Sequence, residues 1–164
     1  MRQIAKSDYQ GFLRSIPWQV HLVLDEQVLK RISDNAALEL ARKLGFHLCK
    51  MNLHSKFSTF ALKERFHWVA IFQGTRDAGN RHLHIMIYFP PKLWRGSVAR
   101  RLRIMSAVQR AWLKARRSVG KAKMPIWIWQ RVISGDEDSA SVATYVSRFI
   151  TPGDWNIGNV YFSQ

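Results

Sequence analysis

The chain is short of cysteine, of acidic residues and of long apolar runs, and each shortage excludes something. One cysteine, Cys49, stands among 164 residues. That rules out an internal disulfide and a cysteine-rich zinc site. No stretch reaches the roughly 18 apolar residues of a membrane span, so no membrane partner is expected. The opening Met-Arg-Gln-Ile-Ala-Lys-Ser-Asp lacks the apolar core of a secretory signal, and the expected compartment is the cytoplasm. No internal repeat and no low-complexity linker divides the chain. A single domain over 1–164 is therefore expected.

Negative charge is the scarcer sign. Eleven Asp and Glu stand against 26 Lys and Arg, for a formal net charge of +15. Between Asp77 and Asp136 there is no acidic residue, while the span Lys92 to Lys123 holds eleven Lys or Arg. A one-sided field of this kind attracts polyanions, nucleic acid first among them. An anionic membrane surface fits less well, because the basic segment is not a short amphipathic appendage. Apolar residues make up 47%, enough for a core, so the chain is not a disordered basic tail.

What is present is an alternation of strand and helix patterns. Trp18-Gln-Val-His-Leu-Val-Leu24 reads as a first strand, with Trp18, Val20, Leu22 and Leu24 on one face and Gln19, His21 and Val23 on the other. Val28, Leu29, Ile32, Leu38, Ala41 and Leu44 then recur at helical spacing, and Asp34 is placed to cap a second segment. Residues 45–65 read as helix plus connection. His67 to Gln73 is a second strand, the turn-rich Gly74 to Asn80 a hairpin loop, and Arg81 to Phe89 a third strand ended by Pro90-Pro91. Leu93 to Arg117 reads as a basic amphipathic helix, Met124 to Ile133 as a fourth strand, and Ala140 to Ile150 as a short final helix.

This order predicts an α+β fold: a ferredoxin-like, split βαβ antiparallel sheet with one added C-terminal helix. Right-handed crossovers put the first and third strands side by side at the sheet centre. Helices are expected on one face, and the other face is expected to be open.

The histidines belong on that open face. His82 and His84 flank Leu83, so both imidazoles share one side of the strand, while Leu83, Ile85 and Ile87 demand the helix-covered side. Two imidazoles so placed can share one metal ion. In an opposed hairpin register Gln73 adds its carbonyl oxygen beside them; His21, on the polar face of the first strand, is the alternative third ligand. Mg²⁺ or Mn²⁺ suits such a set, with open positions left for a phosphate.

On the final helix Tyr145 borders an apolar stripe of Val142, Val146, Phe149 and Ile150, with Arg148 one turn later on the same side. A phenol beside a fixed cation points to nucleophilic chemistry, and a core tyrosine is the plainer alternative. Tyr88 and Tyr161 are the other tyrosine candidates. Arg81, Arg100, Arg101 and Arg103 are candidate DNA phosphate contacts, and Trp127 and Trp129 can stack on unpaired bases or pack in the core.

At these residues the chain resembles the HUH endonuclease superfamily. Arg81-His-Leu-His-Ile-Met-Ile resembles the motif of two histidines flanking a hydrophobic residue, and Ala143-Thr-Tyr-Val-Ser-Arg-Phe-Ile150 resembles the tyrosine motif. With the histidines first and the tyrosine later, the order is similar to that of single-tyrosine rolling-circle replication initiators of plasmids and phages. The resemblance covers about 17–151, with extensions at 1–16 and 152–164.

The resemblance implies a metal-dependent, sequence-specific single-strand DNA endonuclease and ligase. Tyr145 would be the nucleophile, forming a 5′-phosphotyrosine and a free 3′-OH. Single-stranded DNA or an origin hairpin would be the substrate. Unwinding would fall to a host helicase, since no helicase segment is present. Arg148 stands where the family has lysine, which keeps the charge but changes its shape. Gln73 stands where many initiators carry glutamate. Two rival readings remain: a transposase of the same superfamily, with the same chemistry, and a non-catalytic basic nucleic-acid-binding module. A two-histidine phosphoesterase is excluded, because it needs two separate histidine-hydroxyl motifs.

Overall fold

The structure is a computed structural model that describes residues 6–53, 66–73, 81–89, 98–119, 129–133, 136–148 and 160–162, leaving aside the side chains at 6–9, 98–101, 136 and 160–162. Its elements in chain order are α1 (Lys6–Ser15), β1 (Val20–Leu24), α2 (Glu26–Leu29), α3 (Asp34–Leu53), β2 (His67–Gln73), β3 (His82–Tyr88), α4 (Val98–Val119), β4 (Trp129–Val132), α5 (Asp136–Ser147) and β5 (Val160–Phe162). The strands form one antiparallel sheet in the order β4-β1-β3-β2-β5. The protein is thus α+β, with β1 and β3 adjacent as the crossover argument requires. Among the described residues no helix is long and apolar enough to cross a membrane.

Side-chain alternation decides what each face of the sheet buries. Val20, Leu22, Leu24, Ala70, Phe72, Leu83, Ile85 and Ile87 point to the side covered by α3 and α4. There they meet Leu40, Ala41, Leu44, Leu48, Ile104, Val108, Ala111, Trp112 and Ala115, and Trp112 is fully buried. Cys49 is buried in the same core. Gly45 lets α3 approach the sheet, since a Cβ there would lie 2.4 Å from the Trp68 ring. The helix therefore runs on through residue 45 and ends at Leu53.

The break between α2 and α3 has its own local cause. Asp25 caps α2 by accepting from the Val28 amide at 3.0 Å. Ser33, not Asp34, begins α3: its hydroxyl accepts from the Ala36 amide and its carbonyl from the Ala37 amide. The expected cap at Asp34 is corrected, because that carboxylate accepts a 2.6 Å bond from the Arg81 guanidinium.

The second face is not left open as expected. A second core of Leu13, Trp18, Val69, Ile71, Met86, Ile133, Val142, Ala143 and Val146 lies on it. It is built by α1 and α5, which pack against each other and against the sheet. Patterning assigned no element to α1, whose Leu13 is buried in this core; Ile16, just after the helix, packs against it. Trp18 is corrected too. It precedes β1 and turns into this second core, its indole Nε1–H donating to the Leu13 carbonyl at 2.8 Å. Ser139 ties the layer together, since its hydroxyl accepts from the Trp18 amide at 2.8 Å and donates to the Ile16 carbonyl at 3.0 Å. Helix α5 starts at Asp136, four residues before the sequence places it, with the carboxylates of Glu137 and Asp138 in its first turn, where negative charge suits the helix dipole. The hairpin loop, Trp127 and most of the expected early part of β4 lie outside the described residues.

Candidate active site

Three neighbouring strands bring the polar side chains together. β2 and β3 pair with Gln73 opposite His82 and Ile71 opposite His84. On the other flank of β3, β1 pairs with Val23 opposite His84 and His21 opposite Met86. His84 is therefore the hub, reaching diagonally to both strands. Its Nε2 lies 2.6 Å from the Gln73 amide oxygen and its Nδ1 3.0 Å from His21 Nε2. An amide oxygen only accepts, so His84 Nε2–H donates to Gln73. Its Nδ1 then accepts from His21 Nε2–H. The His21 and His84 rings also stack, with centroids 5.2 Å apart. His82 stands next to them on β3, its ring 6.4 Å from that of His84.

Burial sets the charge of this row. Removal from water lowers His84 to about 3, helped by His21 and His82, and lowers His21 to about 4, helped by the nearby Arg131. Both imidazoles are neutral at pH 7, the state that binds cations. In the unfolded chain each takes a proton near the usual value of 6.5. Between that value and the folded values the unfolded chain binds more protons, so stability falls as pH falls from about 6.5 toward about 4. Urea midpoints measured at pH 7.5, 6 and 4.5 should drop across this window. They should drop less in His21→Gln, which has no proton to take up there.

The nucleophile candidate lies over this row. Val142, Ala143 and Val146 seat α5 on the sheet, and Tyr145 emerges at its border with 44% of its surface exposed. Its ring meets His84 edge-on with centroids 5.9 Å apart. The Arg148 guanidinium sits 5.5 Å over the same ring. Arg14 of α1 braces the helix by donating to the Thr144 hydroxyl at 2.9 Å. At the sheet edge Trp129 is 56% exposed and meets His21 edge-on at 5.5 Å. Arg131, beside it on β4, pairs with Asp138 of α5 at 2.7 Å.

The other candidates fall elsewhere. Tyr88 sits at the far end of β3, about 13 Å along the strand from His84; it packs near His67, and burial raises its phenol above the usual value. Tyr161 lies on β5 in register with Ala70. Arg81 bonds Asp34, and its guanidinium covers the Phe72 ring at 4.3 Å, leaving 13% of its side chain exposed. Arg103 is exposed on α4, on the other side of the sheet from Tyr145. Arg100 and Arg101 fall in the first turn of α4, with side chains outside the described set. Sequence reasoning missed Arg14 and Ser139, which position α5.

Among the described residues no three His, Cys, Asp or Glu side chains form a metal group. Gln73 is the oxygen donor beside the two imidazoles of β3. These groups would suit a divalent cation once the His84 proton sits on Nδ1. An imidazole nitrogen and an amide oxygen 2.6 Å apart face each other, with a second imidazole next to them on β3. No family model, curated protein or solved structure matches the chain.

Proposed function

We propose that the chain is a single-strand DNA nicking and joining enzyme of the HUH type, one that initiates rolling-circle replication of a plasmid or phage. The carrying observation is the juxtaposition of Tyr145, His84 and Arg148 on one surface. The strand order β4-β1-β3-β2, with helices crossing over after β1 and after β3, supports a ferredoxin-like split βαβ sheet. A binding module of the same charge would not need a tyrosine held over neutral, hydrogen-bonded imidazoles. The net charge supports a nucleic-acid substrate, with the cytoplasm as the place of action and a host helicase for unwinding.

His82, His84 and Gln73 would hold Mg²⁺ or Mn²⁺. Such an ion, when bound, polarises a phosphodiester as a Lewis acid. Tyr145 supplies the nucleophile. Its phenolic oxygen forms a bond to phosphorus and gives up its proton to solvent. The bond from phosphorus to the 3′ oxygen breaks, and that oxygen leaves as a 3′-OH after taking a proton. Arg148 holds positive charge where the phosphate must arrive, and Trp129 offers a ring on which a flanking base stacks. Reversal of the same exchange rejoins the strand without ATP. The test is incubation with a pool of end-labelled single strands and Mn²⁺, followed by a denaturing gel. A covalent protein–DNA band is expected, and its absence across a broad pool would favour the binding module.

His21 is a positioning residue and not a third ligand in this reading, since it meets His84 on the nitrogen away from Gln73. For His84 to offer its Nε2 lone pair, its proton must sit on Nδ1. His21 must then present Nε2 as acceptor, which holds that tautomer and the ring orientation. His21→Leu should lower Mn²⁺ affinity by about 10–100-fold, the usual cost of losing such a partner. His21→Gln, which retains an acceptor, should recover most of it. Calorimetric titration reads the affinity. The ¹⁵N spectrum of His84 in the Mg²⁺-loaded protein reads the tautomer directly.

A further inference from the structure

Most of the described cations lie away from Tyr145. Helix α4 buries Ile104, Val108, Ala111, Trp112 and Ala115 against the sheet. Its opposite side presents Arg103, Arg110, Lys114 and Arg117, all exposed and spaced to form one stripe. On α3 Lys43, His47 and Lys50 form a second stripe by the same spacing. The two stripes converge. His47 feels Lys114, Lys43 and Lys50 at once, and with burial their fields hold its imidazole below the usual value. Glu39, the acid on this side of α3, is taken up by Arg42 and Lys43. Among the described residues Arg103, Arg110, Lys114 and Arg117 have no acidic partner.

We propose that this outer surface of α3 and α4 is a second nucleic-acid site, which takes the phosphate backbone of duplex DNA. It rests on the nucleic-acid reading of the chain but not on strand cleavage. Arg103 to Arg117 spans about 21 Å of helix, a length over which a duplex carries about twelve phosphate charges. Beside its charge the surface exposes Leu102 on α4 and Phe46 on α3. Its exposed ring, Phe46, lies under the Lys50 ammonium at 5.9 Å. Trp129 and Tyr145, the rings suited to unpaired bases, are on the opposite face. Contacts of that kind position a duplex without reading its sequence. The sheet separates the two sites, and a duplex is stiff over about 50 nm. The nicked strand and the docked duplex are thus different stretches of the polymer.

The test uses a blunt 20-bp duplex, a dT₁₀ single strand and phosphatidylserine vesicles as probes, with binding followed by fluorescence across salt concentrations. In Arg110→Gln/Lys114→Gln/Arg117→Gln the duplex affinity should fall at least about tenfold. The slope of log affinity against log salt should shrink by about 2.7, at about 0.9 per lost contact. Binding of dT₁₀ should stay at the wild-type level. Trp129→Ala should do the reverse, weakening dT₁₀ and sparing the duplex. Unchanged duplex binding in the triple variant overturns the proposal. So does equal loss of dT₁₀ and duplex, which would mean one continuous site, and so does loss of vesicle binding alone, which would mean a lipid surface. No arm uses the Tyr145 hydroxyl, so a protein that never forms an adduct still gives a readable result.

Discussion

Under the nicking reading, Tyr145→Phe should end formation of the covalent protein–DNA adduct and leave the protein folded. The hydroxyl is the sole group removed. The ring remains to meet the His84 edge and to lie under the Arg148 guanidinium, and the hydroxyl comes from a residue already 44% exposed. The seat of α5, made by Val142, Ala143 and Val146, is untouched. The loss should therefore be chemical and not conformational, on the order of the 10⁶-fold cost of deleting an enzymatic nucleophile. Binding of the single strand and the thermal midpoint should match wild type. Arg148→Lys should keep most of the activity, since positive charge stays beside the ring. Peptide mapping of the wild-type adduct is the decisive measurement: attachment at Tyr88 or Tyr161 would overturn the assignment.

Replacing His82 and His84 together with alanine should abolish cutting and remove the Mn²⁺ titration heat. It should cost single-strand binding less than about threefold, because that binding draws on Trp129 and on surface charge. His84 is 4% exposed and hydrogen-bonded at both nitrogens, so its truncation also removes packing. His82→Ala alone is the cleaner companion, since His82 is half-buried at the end of β3. It should lower metal affinity while keeping the fold. Cutting by the double variant in the presence of a chelator would refute the cation site.

The site was more legible than the layer that supports it. Period-two alternation needs only neighbouring residues, so it placed His82 and His84 on one face and Leu83, Ile85 and Ile87 on the other. The hairpin then set Gln73 opposite His82. The α3/α4 side was readable for the same reason, because its helices carry long apolar stripes. The α1/α5 side was not. Helix α1 has only ten residues, and its role comes from contacts with α5 far along the chain. Trp18 looked like a strand residue by parity, yet it leaves the strand to donate to the Leu13 carbonyl. The partner of Arg81 was hidden for a similar reason, because Asp34 is distant in sequence.

The brace between α1 and α5 bears on the order in which the site is built. Gln73, His82 and His84 lie on a hairpin, so loop closure costs little entropy and they can meet early. Tyr145 reaches them only when α5 is seated, and that seat joins residues 121 and 130 positions apart through Trp18–Ser139 and Arg14–Thr144. A ribosome-bound chain thus carries its imidazoles long before it has a mounted phenol. Under the nicking reading, strand cutting would wait until α5 is seated on the sheet.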